Sequence, residues 1–348
     1  MAPQPSLRND IAQSAVLSWP SIVPSDVSWS GLVLQPSPLF SVNGFLRMTM
    51  VLVALVLTAI AYCVFAVAMF KVQHLLVYRI DKRRIAPARA GLADIEEVTL
   101  TVPDGERLIA WYGKPQHGQP TILYCHGQAG ALARRSDRIR RYRAAGLGVL
   151  IVAYRGFSGS TGTPSEAANV ADALFAHDWL ADQGVLAKDL IVYGESLGTG
   201  VATQVAAQRE ISGLVLDSPF TALSELAAAR HPYLPVKRFI FDRYDTLSHI
   251  AKATAPVLVL HGEKDPIVPL PMGLQVFDAI PGPKRMVTFP EGRHLDHGKF
   301  GSLEVVLRFV NERARLPKGY RKLESLAPIA PAVPAGALAA PATAAARA

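Results

Sequence analysis

The pentapeptide Gly194 to Gly198, GESLG, constrains the fold of this chain more than any other segment. It follows an apolar run, Leu190 to Tyr193, and precedes a stretch from Thr199 to Gln208 that can form a helix. A serine between a strand and a helix lies on a sharp turn that lifts its hydroxyl above the sheet, and the two glycines relieve crowding where Cβ atoms would collide. Ser196 is therefore the candidate nucleophile.

Short apolar runs alternate with helical stretches from about residue 93, and this alternation predicts an α/β fold. The first two runs flank Pro103-Asp104-Gly105 and should form a hairpin. The predicted strands are Glu96 to Val102, Leu108 to Tyr112, Thr121 to Cys125, Gly148 to Ala153, Leu190 to Tyr193, Ile211 to Leu216, Val257 to Leu260 and Arg285 to Phe289. We expect a mostly parallel eight-stranded sheet with helices on both faces.

The longest apolar run, Met48 to Phe70, has 23 residues and no charge. At about 1.5 Å per residue it can cross a hydrocarbon core of about 30 Å, so we predict one transmembrane helix. The 20 residues after it are rich in basic side chains, whereas Arg47 is the only basic residue among the 20 before it. By the positive-inside rule, the C-terminal domain is expected in the cytoplasm.

The chain divides by composition into an N-terminal extension, a membrane span, a basic juxtamembrane segment, a globular domain with a small lid, and a tail. In that order these are residues 1–47, 48–70, 71–92, 93–317 with the lid at about 220–248, and 318–348. The Ala/Pro-rich tail lacks the large apolar residues that offset ordering entropy, so we predict disorder there. The extension shows no sustained period and is also predicted to be disordered, unless translation starts at Met48 or Met50.

The formal charge of +8 does not indicate nucleic-acid binding, because the basic residues form no long tract with interleaved aromatics. No glycine-rich phosphate-binding motif follows a strand, which disfavours a nucleotide site. Cys63 and Cys125 fit neither a disulfide framework nor metal-ligand spacing. No metal or organic cofactor is implied, and the oligomeric state is left open.

Two polar residues follow predicted strands downstream of Ser196, in the order that a nucleophilic serine requires. Asp265 comes after Val257 to Leu260, and His294 comes after Met286 to Phe289. A serine hydroxyl reacts only when a base removes its proton and a carboxylate orients that base. Because the carboxyl ends of parallel strands meet at one edge of the sheet, we predict a catalytic triad of these three residues.

Acyl transfer also needs two N–H donors for the developing oxyanion. The amide of Leu197, directly after the nucleophile, is expected to supply the first. The loop His126 to Gly130, HGQAG, follows a predicted strand and should supply the second through the amide of Gln128. His126 itself is expected to be a structural hydrogen-bonding residue.

Alternative residues for the base and the acid remain open. His297 lies three residues after His294 and could replace it as the base. Asp217 follows the strand after Ser196 and could serve as the acid. Glu195 is expected to contact neighbouring loops and to take no part in proton transfer.

Further motifs accompany these residues in a fixed order. They are VQHLLVY at 72–78, HGQAG at 126–130, YRGFSGS at 154–160, the GESLG pentapeptide, DSPFT at 217–221, and the loops that contain Asp265 and His294. In these motifs the chain, from about Phe70 to Arg313, resembles the membrane-anchored α/β-hydrolases of the serine aminopeptidase-like, bud-emergence type. The resemblance implies a serine hydrolase of ester, thioester or amide bonds, with Ser196, Asp265 and His294 at the positions of the family's triad.

The sequence thus predicts a single-pass membrane enzyme that cleaves carboxylic ester or thioester bonds through an acyl-enzyme intermediate. The anchor and the basic segment would keep the site near anionic lipid, which favours an acylated substrate. The alternatives are a serine peptidase of the aminopeptidase-like type and a non-catalytic α/β-hydrolase scaffold that binds a membrane partner.

Overall fold

The computed structural model describes residues 42–314. The disorder predicted for residues 1–47 and 318–348 therefore lies outside the described residues, except at positions 42–47. These six positions begin a helix, α1, that covers Val42–Val77. The described residues divide into two units at residue 63, so that one unit contains 42–63 and the other contains 64–314.

Helix α1 is longer at both ends than the predicted span of residues 48–70. The extra turns form because neither end is interrupted by proline and because Arg47 and Lys71 are good helix formers. Apolar character therefore marks the part of α1 that can lie in lipid, not the ends of the helix. Among the described residues, α1 is the one helix long and apolar enough to cross a membrane.

The second unit contains the eight-stranded sheet that the sequence predicts. Its strands are β1 Glu96–Thr101, β2 Arg107–Gly113, β3 Thr121–Cys125, β4 Gly148–Val152, β5 Leu190–Glu195, β6 Gly213–Asp217, β7 Val257–Gly262 and β8 Lys284–Phe289. The spatial order is β1-β2-β4-β3-β5-β6-β7-β8. Strand β2 is antiparallel to β1 and β4, and all other pairs are parallel.

Helices cover both faces of the sheet. They are α2 Ser136–Ala144, α3 Glu166–Asp182, α4 Leu197–Ala206, α5 Leu223–Arg230, α6 Val236–Phe239, α7 Thr246–Ile250, α8 Leu270–Ala279 and α9 Ser302–Ala314. The chain steps from β3 to β4 in one direction and from β4 onward in the other. Right-handed crossovers then place α2 on one face and α3, α4 and α8 on the other. Helix α9 contacts α2, so it lies on the same face as α2.

The core follows from this layering. Strands β3 to β7 are buried at every residue, whereas the edge strands β1 and β8 are partly exposed. Strands β5 and β7 continue two residues beyond their predicted ends because Gly194 pairs with Cys125 and Gly262 pairs with Phe289. Ladder pairing, not apolar character, therefore decides where these strands end.

The segment between β6 and β7, expected to be a lid, contains the short helices α5, α6 and α7. We call residues 220–248 the insertion. Its two ends are joined at the base, since Leu223 N–H donates to Arg243 O at 2.7 Å and Leu247 N–H donates to Thr221 O at 3.2 Å. The insertion is thus a closed loop that leaves the sheet and returns to the same place.

Backbone packs closely against backbone where β7 and β8 end. A Cβ atom on Gly262 would lie 2.4 Å from Gly292 O and 2.7 Å from Arg293 O. Backbone there cannot yield cheaply, so we expect Gly262→Ala to destabilise the fold by about 1–3 kcal/mol. Thermal unfolding of the full chain in detergent should show a lowered Tm.

Gly282→Ala is the matched control, because the same added methyl group meets only Thr254 O at 3.8 Å. We expect its Tm to stay near that of the wild type. Equal Tm values for the two variants would show that the β7–β8 edge is not tightly packed.

Candidate active site

Ser196 lies on the sharp turn that the sequence predicts. Strand β5 ends at Glu195, helix α4 begins at Leu197, and Ser196 between them has φ 50° and ψ −115°. A Cβ on Gly198 would be 2.1 Å from Cys125 O, and a Cβ on Gly194 would be 2.6 Å from the backbone of α4. Both glycines are therefore needed for the strand and the helix to approach so closely.

The structure brings Ser196, His294 and Asp265 together, although Ser196 and His294 are 98 residues apart in the chain. His294 Nε2 lies 2.9 Å from Ser196 Oγ, and His294 Nδ1 lies 2.7 Å from Asp265 Oδ2. Asp265 is in the loop after β7 and His294 is in the loop after β8. The three side chains form one continuous chain of hydrogen bonds at the carboxyl edge of the sheet.

Asp265 is held as a carboxylate. Its side chain is fully buried, and its Oδ1 accepts from the N–H groups of Ile267 at 2.7 Å and Val268 at 2.9 Å. Burial opposes ionisation, but the hydrogen bond from His294 and these amides outweigh it and lower the pKa of Asp265. A carboxylate can only accept, so the proton lies on His294 Nδ1, and Nε2 is left to accept from the Ser196 hydroxyl.

The loop 126–130 lies beside this cluster, as predicted. Gly127 N–H donates to Glu195 Oε1 at 3.2 Å, and Gln128 O accepts from Arg79 N–H at 3.0 Å. Within residues 42–314 no acceptor is bonded to the amide of Gln128. Leu197 is the first residue of α4, and N–H groups at a helix N-terminus point away from the helix toward ligands.

His126 fixes the shape of this loop. Its Nε2 accepts from Tyr154 N–H at 3.1 Å, so its Nδ1 carries the proton and donates to Gly127 O at 2.7 Å. Burial lowers the pKa of His126 to about 3. Because its neutral ring is hydrogen-bonded at both nitrogens, His126 is a structural residue, as the sequence indicates.

The two alternative residues, His297 and Asp217, bind each other. His297 Nδ1 lies 2.8 Å from Asp217 Oδ1, and both side chains are fully buried. The other oxygen of Asp217 accepts from Tyr193 OH at 2.5 Å and from Arg138 at 3.1 Å. Neither His297 nor Asp217 is bonded to the side chain of Ser196 or His294 in the described residues, so neither stands in for His294 or Asp265.

Glu195 contacts neighbouring segments, as predicted. Its carboxylate accepts from Arg135 at 2.7 Å, from the Tyr124 hydroxyl, and from Gly127 N–H. Burial opposes its ionisation, but Arg135 and Arg138 outweigh burial and lower the pKa of Glu195 to about 2. This buried ion pair joins the loop 126–130 to the residue directly before Ser196.

Sequence reasoning did not identify Arg135, Arg138 or His261. Arg135 and Arg138 follow the loop 126–130 closely and are carried beneath the Ser196 turn, but a helical arginine is usually exposed and its pattern gives no sign of burial. His261 Nε2 lies 3.9 Å from Asp265 Oδ2 and 2.9 Å from Val268 O. It therefore supports the Asp265 loop from inside the sheet.

No group of three or more His, Cys, Asp or Glu side chains in residues 42–314 is arranged to hold a metal ion. The carboxylates around Ser196 are already bonded to histidine, arginine or tyrosine side chains of this chain. The site therefore offers a hydroxyl, an imidazole, a carboxylate and backbone amides, which are the groups used in acyl transfer.

The chain is similar to several known proteins. Residues 145–312 match the prolyl oligopeptidase family. The bem46 protein of Schizosaccharomyces pombe is 30% identical over 244 residues, which are 66% of this chain and 82% of bem46. The lysophosphatidylserine lipase ABHD12 of Danio rerio is 36% identical over 192 residues, 48% of this chain and 49% of that protein.

Among solved structures, the esterase Pf2001 of Pyrococcus furiosus is similar to this chain with a TM-score of 0.55. The sequence identity is 20%, and the match covers 67% of this chain and 99% of the esterase. At this identity the likeness concerns the fold alone. The α/β-hydrolase fold expected from the sequence is confirmed.

The pair of His297 and Asp217 makes stability depend on pH. Burial opposes protonation of His297, but Asp217 outweighs it and raises the pKa of His297 above its usual value of about 6.5. A raised folded-state pKa gives stability that is complete below the unfolded pKa and is lost as pH rises through the folded value. We therefore expect the Tm of the full chain in detergent to fall as pH rises above about 6.5.

The variant His297→Gln should lack this part of the fall in Tm. His117→Gln is the control, since His117 is exposed in the turn between β2 and β3, and it should keep the wild-type profile. An unchanged pH profile in His297→Gln would rule out a protonated pair.

Proposed function

We propose that this chain, which belongs to the α/β-hydrolase family that includes bem46, is a membrane-anchored serine hydrolase. Its substrates would be carboxylic esters or thioesters. The observation that carries the proposal is the hydrogen-bond chain from Ser196 Oγ through His294 to Asp265. Its two links, 2.9 Å and 2.7 Å, are within the range for proton transfer and for orientation of the base. No covalent or structural rearrangement is needed before the first step.

In the first half of the reaction, Ser196 Oγ attacks the acyl carbonyl while His294 Nε2 takes the hydroxyl proton. The buried Asp265 carboxylate stabilises the imidazolium that forms and keeps its ring in place. The imidazolium then gives the proton to the leaving alcohol or thiol, which leaves the acyl group on Ser196. In the second half, His294 takes a proton from the water that attacks the acyl group; the bond between the acyl carbon and Ser196 Oγ then breaks, His294 returns the proton to Ser196 Oγ, and the carboxylic acid leaves.

We assign the oxyanion of the tetrahedral intermediate to the amides of Gln128 and Leu197. The free N–H of Gln128 supports this assignment, and so does the position of Leu197 at the start of α4. The bond from Gly127 N–H to Glu195 fixes the loop relative to Ser196. Such fixed donors matter because removal of one commonly costs about 10²–10³ in kcat.

The membrane setting favours an acylated lipid or lipidated protein as substrate. We infer that α1 spans the bilayer and that the basic residues after it keep the catalytic domain on the cytoplasmic side. The relative ABHD12 is a lysophosphatidylserine lipase, which agrees with an ester of a lipid as substrate. Peptidase activity is the second candidate, because residues 145–312 match the prolyl oligopeptidase family.

A fluorophosphonate probe tests the nucleophile. The wild-type chain should be labelled and Ser196→Ala should not, with a fall in kcat of about 10⁴-fold or more toward any substrate. Ser218→Ala is the control, because Ser218 follows β6, is buried, and its hydroxyl has no hydrogen-bond partner in the described residues. A folded wild type without labelling would favour the scaffold, and labelling that survives Ser196→Ala would place the nucleophile elsewhere.

The leaving group is tested with p-nitrophenyl esters of graded acyl length beside aminoacyl amides, using the full chain in detergent. We expect faster hydrolysis of the esters, with Ser196→Ala as the background. A higher kcat/KM for the amides would reverse the ranking and make the chain a peptidase.

A further inference from the structure

The insertion exposes three large aromatic side chains within nine residues. Tyr233, Phe239 and Phe241 are 57%, 51% and 67% exposed. Single exposed apolar residues are ordinary on a protein surface, but rings grouped in one short segment indicate an interaction surface. We call these three residues the aromatic face.

The aromatic face continues the apolar surface at the C-terminal end of α1. Phe70 contacts Phe241 with ring centroids 4.8 Å apart and Phe239 with centroids 6.4 Å apart. Phe65 contacts Tyr233 at 6.4 Å. The rings of α1 and of the insertion therefore form one aromatic cluster.

Hydrogen bonds hold the insertion at this end of α1. Phe241 N–H donates to Gln73 Oε1 at 3.0 Å, and Gln73 Nε2 donates to Phe239 O at 3.4 Å. Nearby, Tyr78 OH donates to Asp242 Oδ2 at 2.8 Å. Hydrogen bonds therefore hold the insertion against α1 in addition to the contacts between aromatic rings.

Basic residues lie close to the aromatic face along the chain. Lys237 and Arg238 lie in α6 between its rings, and Arg230 and Arg243 lie on either side. The acidic residues of the insertion are already bonded: Glu225 pairs with Lys237, Asp242 accepts from Tyr78 OH and Glu166 N–H, and Asp245 caps α7. Aromatic rings with flanking Lys and Arg are typical of the interface between lipid headgroups and acyl chains.

A further contact joins the insertion to the site. Arg230, at the end of α5, donates to Pro266 O at 2.7 Å and to Ile267 O at 2.9 Å. Ile267 N–H in turn binds the Asp265 carboxylate. Two hydrogen bonds, through Ile267, therefore connect the insertion to the Asp265 carboxylate that orients His294.

We propose that the aromatic face inserts into the anionic interface of the bilayer that α1 spans, so that the site takes its acyl substrate from that bilayer. This inference rests on the proposed function for its membrane anchor and for the hydrolysis that follows. A protein partner is the rival occupant. The continuity of the aromatic face with α1 favours lipid over protein, and so does the presence of Arg238 and Arg243 beside its rings in the sequence.

The depth at which the aromatic face lies in the bilayer can be measured without any enzymatic reaction. In a Cys63→Ser background, Phe241→Cys is labelled with a fluorophore, and the full chain is placed in phosphatidylserine vesicles that contain brominated lipids. Cys125 stays unlabelled because it is buried and burial raises its thiol pKa to about 12. We expect a loss of emission, since a probe in the interface lies within reach of the quenching lipid.

The matched control is Leu186→Cys in the same background. Leu186 is 56% exposed, yet it precedes β5, at the edge of the sheet opposite Ser196, and its probe should keep its emission. Equal emission from the two probes would overturn the proposal, as would emission at position 241 that responds to an added protein and not to lipid.

A second experiment tests the route of the substrate. The double variant Phe239→Ser/Phe241→Ser is compared with Leu186→Ser on two substrates, a long-chain monoacyl phospholipid in vesicles and p-nitrophenyl acetate in water. The ratio of lipid to acetate hydrolysis should fall about tenfold in the double variant, because it withdraws two phenyl rings from lipid, and should hold in Leu186→Ser.

An unchanged ratio in the double variant would overturn delivery from the bilayer. Absence of hydrolysis of both substrates by the wild type would instead contradict the proposed function. The quenching experiment would then still decide whether the aromatic face lies in lipid. The experiments therefore distinguish a failure of the lipid-insertion proposal from a failure of the proposed hydrolase activity.

Discussion

The close approach of three strand ends around Ser196 is the constraint on which the rest of the site depends. A residue other than glycine at φ 50° is strained, and that strain is held by neighbours on both sides. Ser196 N–H donates to Asp217 O at 2.9 Å, at the end of β6, while Gly198 packs on Cys125 O, at the end of β3. The backbone of the turn is thus held between two parallel strands.

Buried charge beneath this turn complements these backbone contacts. Removal of Glu195 and Asp217 from water costs several kcal/mol per ion, and attraction to a paired charge offsets this cost. Loss of one partner would leave the other charge buried and unpaired, which is strongly destabilising. Here Arg135 binds Glu195, while Arg138 and His297 bind Asp217. Charges that add little net stability can still fix geometry, and these set the position of the loop 126–130 relative to Ser196.

The sequence predicts those parts of the structure that depend on local pattern and on order along the chain. Eight strands follow from apolar runs, and Ser196, Asp265 and His294 meet because each follows a parallel strand. The partners of Glu195 could not be predicted, since Arg135 reaches it across 60 residues and resembles any exposed arginine. The ends of α1 could not be predicted from apolar character either, because helical hydrogen bonds continue past the apolar residues. The catalytic roles and the domain boundaries stay predictions.

The insertion is hydrogen-bonded to itself at its base, and this has a consequence for how such proteins diversify. A loop whose ends are already joined can grow, shrink or be exchanged at small entropic cost to the rest of the chain. The strand-end loops that carry reactive groups need not change when this happens. Descendants of one ancestor can therefore keep a common reaction while the exchangeable module adapts each of them to a different cellular surface.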